Sequence, residues 1–169
     1  MRGGEAVAED WSDRGMGVLD PEGFEPALLE LIDPWLGAKP TPVVACGMVG
    51  ARQGWIEAPY AKVPCPPVGA AVVKAPVTDP RLDVTILPGL CQTGPADVMR
   101  GEETQIAGFR ADAPDFDGIL CMPGTHTKWV QISAGEVVSF RTYMTGELFA
   151  LLSTQSVLRH SMDDAFDDA

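Results

Sequence analysis

Residues 122–129, which read Met-Pro-Gly-Thr-His-Thr-Lys-Trp, have the side chains and backbone needed to hold a phosphate group. Gly124 has no side chain, so backbone N–H groups can approach an anion there. Thr125 and His126 offer hydrogen-bond donors, and Lys128 offers a positive charge. The same residue types also form plain hairpin turns. The segment alone therefore leaves two interpretations equally open, a phosphate loop and a structural turn.

A second group of reactive side chains lies in residues 96–105, Ala-Asp-Val-Met-Arg-Gly-Glu-Glu-Thr-Gln. The segment follows an apolar strand pattern, and α/β proteins place their ligands where strands end. We predict a helix from about Asp97 to Phe109, in which Asp97 and Arg100 share a polar face. Asp97 at such a position can accept a proton from an attacking hydroxyl. The alternative is that Asp97 only caps the helix, with Glu102 and its neighbour in solvent.

The irregular stretch of residues 50–67, together with the loop of residues 47–55 that leads into it, is a third candidate, because long loops inside a compact domain are often functional. An arginine there can bind a carboxylate through its two-pronged guanidinium, and aromatic rings can line a ligand pocket. The alternative is a surface loop whose tryptophan packs on the core. The candidate ligand-binding residues of this stretch are Met48, Gly50, Arg52, Gly54, Trp55 and Tyr60.

The composition narrows the class of partner. The chain has 169 residues and a formal net charge of −12, with charged residues at 21%. Nucleic acids and anionic membranes select for clustered Lys and Arg, so we expect neither as a partner. A small anionic ligand stays possible, since it needs only a local positive pocket.

The four cysteines are widely spaced and form no C-x-x-C pair, which argues against a zinc cluster; we predict no metal site made by the protein alone. Cys121 and His126 are close in sequence, but this is weak evidence for a nucleophile pair in a cysteine-dependent hydrolase. The sequence shows no signal peptide and no apolar run of membrane-spanning length, so we expect a cytoplasmic protein.

The elements that must position these segments alternate between strand and helix, which predicts an α/β fold. We predict a weak strand over residues 5–11, a helix that begins at Asp20-Pro21 and runs to about Trp35, and strands at residues 42–46 and 84–87. A hairpin follows, with strands at residues 118–121, 129–133 and 137–142 around the candidate phosphate turn. A last helix begins near Thr145 with a leucine stripe, and residues 163–169 form an acidic tail.

The order and spacing of six segments resemble the 2-dehydro-3-deoxygalactonokinases, sugar-acid kinases of the actin-like ATPase superfamily. The resemblance covers residues from about 12 to 160. It implies a ribonuclease-H-like half-domain with a central mixed sheet flanked by helices, and ATP-dependent phosphorylation of 2-dehydro-3-deoxy-D-galactonate at its 6-hydroxyl, with Mg²⁺ entering through ATP. The matching segments are residues 45–50, 54–60, 87–91, 98–105, 122–130 and 145–148.

The resemblance also implies roles for the candidate residues. Asp97 falls where related sugar kinases place their base, and Glu102 is the reserve candidate. Arg100 and Lys128 would neutralise charge during phosphoryl transfer, and the Gly124-Thr125 turn with His126 resembles the second phosphate loop of the superfamily. The loop residues from Met48 to Tyr60 would meet the sugar acid.

The sequence departs from that family in two respects. It has no Asp-x-Gly-Thr/Ser turn for the first phosphate loop, and nothing after residue 160 corresponds to the domain that closes over adenosine. We therefore predict that residues 1–162 are an N-terminal kinase domain without its first strands, and that the chain is an incomplete enzyme. The alternative is a non-catalytic module that binds a sugar acid or a partner. An uncovered sheet edge predicts a possible homodimer.

Overall fold

A computed structural model describes residues 6–69 and 71–161 of the chain. Within those residues the fold is mixed α/β, with three α-helices and nine short strands arranged in three three-stranded sheets. Two apolar cores hold it together, one around the N-terminal sheet and one between the other two sheets.

The first sheet has the order β1-β4-β3, from strands Thr41–Ala45 (β1), Leu82–Ile86 (β4) and Val73–Lys74 (β3). β1 and β4 run parallel and β3 runs antiparallel to β4. Helix α1, Phe24–Ile32, lies between two 3-10 turns, Pro21–Gly23 and Asp33–Trp35, and packs its Phe24 and Ala27 into this core.

The second sheet has the order β2-β5-β6, from strands Tyr60–Lys62 (β2), Gly89–Thr93 (β5) and Ala96–Met99 (β6). The residues between β4 and β5 explain why the two sheets are separate. Leu87 N–H still donates to Ala45 O, but Pro88 has no N–H to donate, and Gly89 N–H donates to Pro59 O instead. The chain therefore exchanges β1 for β2 as its partner at Pro88.

The third sheet is an antiparallel meander of Gly118–Met122 (β7), Thr127–Ser133 (β8) and Glu136–Tyr143 (β9). Helix α2, Glu102–Asp112, packs Ile106 against it, in a core that includes Val130 and Phe140. Helix α3, Thr145–Gln155, follows β9 and leads into a 3-10 turn, Val157–Ser161.

Several predicted elements are confirmed. The helix predicted from Asp20-Pro21 is present as α1 with its flanking turns, and strands β1 and β4 lie within a residue or two of their predicted positions. The predicted hairpin is present as β7, β8 and β9, and its second turn uses Ala134 and Gly135 at positive φ. The last helix begins at Thr145 as predicted.

Three expectations are wrong. The predicted helix from Asp97 is instead strand β6 followed by a helix that starts at Glu102, because residues 96–99 pair with β5 across a hairpin at Gly94-Pro95. Residues 6–11 form no strand, and Glu5 lies outside the described residues. The described residues form three small sheets rather than one central sheet, for the reason given at Pro88.

The leucine stripe predicted on α3 is exposed, with Leu148, Leu151, Leu152 and Leu158 between 40% and 53% accessible. The predicted acidic tail, residues 163–169, lies outside the described residues. Among the helices of the described residues, none combines the length and the apolarity that crossing a membrane would require.

Candidate functional site

Two of the three candidate segments, with one residue of the third, meet at a single cavity of about 350 Å³. Its walls come from the turn before α2, from the first turn of α2, from the turn between β7 and β8, and from Met48. The cavity is lined by Met48, Arg100, Gly101, Glu102, Gln105, Met122, Pro123, Gly124, Thr125 and His126. Arg100 and His126 are its basic groups and Glu102 is its carboxylate.

The wall that carries Arg100 and Glu102 is built by a tight turn between β6 and α2. Gly101 has a φ of 110°, a backbone conformation that residues other than glycine rarely adopt. A Cβ there would also lie 3.3 Å from the Cα of Gly47, so the two glycines let the chains approach closely. Glu102 Oε2 accepts the backbone N–H of Arg100 at 3.0 Å, which holds this carboxylate at the edge of the cavity.

Glu103 fixes the same turn from inside the protein. Glu103 is 0% exposed. Its Oε2 accepts the N–H of Gly101 at 2.7 Å, and Thr104 Oγ1 donates to its Oε1 at 3.3 Å. Burial raises the pKa of the Glu103 carboxyl, and these hydrogen bonds lower the pKa in part. Burying a carboxylate costs free energy, and the hydrogen bond from Gly101 N–H to Glu103 indicates that this carboxylate holds the turn before α2.

Glu103 should make stability fall as the pH rises. The raised pKa means that the folded chain binds this proton more tightly than the unfolded chain, in which the carboxyl titrates near 4.5. The stability from Glu103 is therefore complete below pH 4.5 and is lost as the pH rises through the folded pKa. Urea unfolding from pH 4 to pH 8 should show Glu103→Gln, which cannot ionise, becoming more stable relative to the wild type as the pH rises. Parallel curves would contradict this, and Glu57→Gln, at an exposed glutamate, is the matched control.

The opposite wall, the Gly124–Thr125–His126 turn, rests on the beginning of α3. Glu147 N–H donates to Thr125 O at 3.0 Å, and His126 Nε2 lies 2.5 Å from Glu147 Oε2. A Cβ at Gly146 would lie 2.5 Å from Gly124 O and 3.0 Å from the Cα of Thr125. The helix start and the turn thus approach as closely as backbones can, which explains a glycine inside a helix.

Arg100 is held at the base of the cavity by the loop of residues 47–60. Its Nη2 donates to Ala58 O at 2.7 Å, Nε donates to the Tyr60 hydroxyl at 3.3 Å, and Cζ lies 4.2 Å from the centroid of the Tyr60 ring. Among the described residues Nη1 is buried without a hydrogen-bond partner. A Cβ at Gly50 would lie 3.0 Å from that Nη1, so Gly50 leaves the space that the guanidinium occupies.

The other loop candidates do not line the cavity. Arg52 is exposed, and Gly54 is buried against the backbone carbonyls of Met48 and Val49. Trp55 is 8% exposed and stacks on Phe24 at a centroid distance of 6.1 Å, as the packing interpretation of this tryptophan expects. Of the six loop candidates Met48 lines the cavity, and Gly50 and Tyr60 contact Arg100, which also lines it.

Asp97 and Lys128 lie outside the cavity lining as well. Asp97 is in β6, where its Oδ1 accepts the Thr142 hydroxyl at 2.8 Å. Lys128 is 5% exposed, and its Nζ donates to Val98 O and to Thr142 Oγ1. Cys121 also lies outside the lining, and His126 is paired with Glu147, so the geometry does not join them in a nucleophile pair.

Comparison with known proteins identifies the family. The model of the 2-keto-3-deoxy-galactonokinase family matches residues 1–169. The chain belongs to this family. Among the most similar curated relatives is a probable 2-dehydro-3-deoxygalactonokinase of Rhizobium meliloti (strain 1021), 39% identical over 164 residues, which are 96% of this chain and 54% of the relative. The 2-dehydro-3-deoxygalactonokinase of Escherichia coli (strain K12) is 40% identical over 159 residues, 93% of this chain and 52% of the relative.

A solved structure agrees with the family assignment. A crystal structure of a Sinorhizobium meliloti protein described as a 2-dehydro-3-deoxygalactonokinase matches with a TM-score of 0.82 at 38% identity, covering 95% of this chain and 53% of that one. The chain therefore spans about half the length of the galactonokinase relatives that it matches. The kinase family was predicted from the sequence, and this prediction is confirmed.

Three residues that build this galactonokinase-family site were not candidates from the sequence: Glu103, Thr142 and Gly146. Glu103 enters the sequence-based interpretation only in the alternative that leaves it and Glu102 in solvent, because a single charged residue at a helix start gives no sign of burial. Gly146 had a signal that could have found it, since glycine is a poor helix former and Gly146 directly follows the predicted helix start at Thr145. Thr142 had none, because its partners come from two other strands.

Proposed function

We propose that this chain is the part of an ATP-dependent 2-dehydro-3-deoxygalactonate kinase that holds the sugar acid's reacting hydroxyl beside the transferred phosphate. The observation that carries the proposal is the cavity in which Arg100 and Glu102 face the Gly124–Thr125–His126 turn. Its volume lies within the roughly 300–1,000 Å³ of small-molecule sites. The family assignment supports a kinase, and we infer a ribonuclease-H-like half of the actin-like ATPase fold, for which the mixed α/β structure is suitable.

Glu102 is the better candidate for the base. It lines the cavity, whereas Asp97 is held by Thr142 behind it. In the proposed step Glu102 takes the proton of the 6-hydroxyl, whose oxygen forms a bond to the γ-phosphorus of ATP while the bond from that phosphorus to the bridging oxygen of ADP breaks. Arg100 and the N–H groups and hydroxyl of the Gly124-Thr125 turn would stabilise the charge on the transferred phosphoryl group.

The residues present are compatible with ATP and with a Mg²⁺ ion that enters with it. Mg²⁺ usually keeps several waters and binds largely through substrate phosphate oxygens, so the ion would be held by ATP and water, and Glu102 would stay available as the base. Such an ion would neutralise phosphate charge. In the described residues no group of three or more His, Cys, Asp or Glu side chains forms a metal site of its own.

The test is ADP release by the purified chain with Mg-ATP and 2-dehydro-3-deoxy-D-galactonate, together with calorimetric titration of each ligand. Turnover supports the kinase. Because the chain spans about half of its relatives, a non-catalytic module is the second candidate, and binding of the sugar acid without ATP binding or turnover would favour it. Binding of neither ligand would reject both. Association of two copies stays a prediction, which light scattering can check.

Gly146 provides a direct test of the phosphate turn. An alanine Cβ would displace the Gly124-Thr125 backbone or the start of α3, since the nearest atoms are backbone atoms. We expect Gly146→Ala to weaken ATP binding by at least about tenfold and to cost roughly 1–3 kcal/mol of unfolding free energy, the usual cost of overpacking. The matched control is Gly108→Ala in α2, where a Cβ meets nothing within 4 Å and alanine should stabilise by about 0.5–1 kcal/mol. Unchanged ATP affinity in Gly146→Ala would place the phosphate elsewhere.

A further inference from the structure

Lys128, Thr142 and Asp97 form a cluster between the second and third sheets. Lys128 Nζ donates to Val98 O at 2.7 Å and to Thr142 Oγ1 at 2.6 Å. Thr142 Oγ1 in turn donates to Asp97 Oδ1 at 2.8 Å, and Lys128 Nζ lies 3.9 Å from the same carboxylate oxygen. One ammonium therefore joins β6 of the second sheet to β8 and β9 of the third.

The burial of this cluster separates it from an ordinary surface ion pair. The Lys128 side chain is 7% exposed and the Asp97 side chain 18%. Lysine is almost never this buried unless it is paired, and a lysine ammonium has three N–H donors. Two of the three are used within the protein on Val98 and Thr142, and the Asp97 carboxylate balances the charge.

Each strand of the cluster continues directly into a part of the cavity. β6 ends at Met99, and Arg100 and Glu102 follow at once. Lys128 is two residues after His126 at the start of β8. Thr142 is near the end of β9, just before the start of α3, where Glu147 binds the Gly124–His126 turn.

We propose that Lys128, Thr142 and Asp97 are positioning residues, which fix the distance between the Arg100–Glu102 wall and the Gly124–His126 wall without touching the ligand. The proposal rests on the proposed function in treating the cavity as the phosphate site. It replaces the direct phosphate contact that the resemblance implies for Lys128, because the ammonium is buried and two of its three donors are used inside the protein.

Hydrogen exchange of the unliganded chain tests the positioning directly. Two amides report on the two walls: Gly101 N–H, which is bound to Glu103, and Glu147 N–H, which is bound to Thr125 O. Thr142→Val keeps the size of the side chain and removes its hydroxyl, and Lys128→Met removes the charge. In both variants we expect exchange at both amides to accelerate by at least about tenfold, because breaking the cluster lets both walls open locally.

Gln92 supplies the matched control. It is 7% exposed and joins the same two sheets, since its Nε2 donates to Phe140 O at 2.9 Å and its Oε1 accepts Phe140 N–H at 2.9 Å. Gln92 lies opposite Asp97 in the β5–β6 pair, but Gln92→Met removes no hydrogen bond of Lys128, Thr142 or the Asp97 side chain. Slower or unchanged exchange at the two wall amides in this control, with acceleration in Thr142→Val, supports the proposal. Equal acceleration in Thr142→Val and Gln92→Met would overturn it.

ATP affinity gives a second test, in which the two roles of Lys128 predict opposite signs. If Lys128 contacted phosphate, Asp97→Asn would remove a nearby negative charge and strengthen ATP binding. If the cluster positions the walls, Asp97→Asn should weaken ATP binding by roughly tenfold, as disturbing a linked network does. Stronger binding in Asp97→Asn would overturn the proposal. Failure of the wild type to bind ATP would reject the proposed function and leave the exchange measurement to decide the positioning.

Discussion

Replacing Gly54 with alanine should destabilise the chain by at least about 3 kcal/mol, at the upper end of the effects of single substitutions. A Cβ at this position would lie 2.6 Å from Met48 O and 2.7 Å from the carbonyl carbon of Val49, and closer still to Val49 O. These are backbone atoms, so no side chain can rotate away. They also hold the turn, since Gly54 N–H donates to Ala51 O and Trp55 N–H donates to Val49 O, both at 2.8 Å.

The measurement is the midpoint of urea unfolding. Gly54→Ala should lower this midpoint more than an alanine substitution at any glycine that has open space around it. Gly37→Ala is the matched control, because a Cβ at Gly37 meets nothing within 4 Å. Gly54→Ala should also displace Met48, which lines the cavity, so a variant that still folds should bind ligand more weakly. A midpoint equal to that of Gly37→Ala would show that the 47–55 loop can relax around an added methyl group.

The second large effect concerns the proposed base. Glu102→Gln should lower turnover by roughly 10²–10⁴, the usual worth of a positioned general base, because the amide cannot take the proton of the sugar hydroxyl. ATP affinity should change little, since the substitution keeps the size of the side chain and its acceptor for Arg100 N–H. A fall in kcat with a nearly constant KM is the signature of an interaction made only in the transition state.

The assay needs a form with measurable turnover. Where the chain alone shows none, it can be joined to the portion of the Rhizobium meliloti relative that it does not cover. Glu57→Gln, an exposed glutamate outside the cavity lining, is the matched control and should leave kcat unchanged. A near-wild-type rate in Glu102→Gln would remove Glu102 from the role. Asp97→Asn would then become the leading variant only if its kcat, and not its ATP affinity, fell by that factor.

Much of the site could be predicted from sequence because its key groups are local. The turn at Gly124-Thr125 is formed by consecutive residues, and the hydrogen bond from Arg100 N–H to the Glu102 carboxylate spans only Gly101. These residues are adjacent in the chain, so any fold that forms the turns presents them together. The proposed role of base moved from Asp97 to Glu102 because residues 96–99, in which a helix was predicted, pair with β5 as a strand.

By itself the sequence determined the family, the mixed α/β class and the turn at Gly124-Thr125, since each depends on short motifs and on their order. Only the tertiary structure decided which charged residues line the cavity and which are buried. From the sequence Lys128 is a candidate for binding phosphate and Glu103 is a charge at a helix start, yet both are buried in the structure. Lys128 binds Thr142, and Glu103 binds the N–H of Gly101 in the turn before α2. These partners are brought together by tertiary packing, which no local sequence pattern encodes.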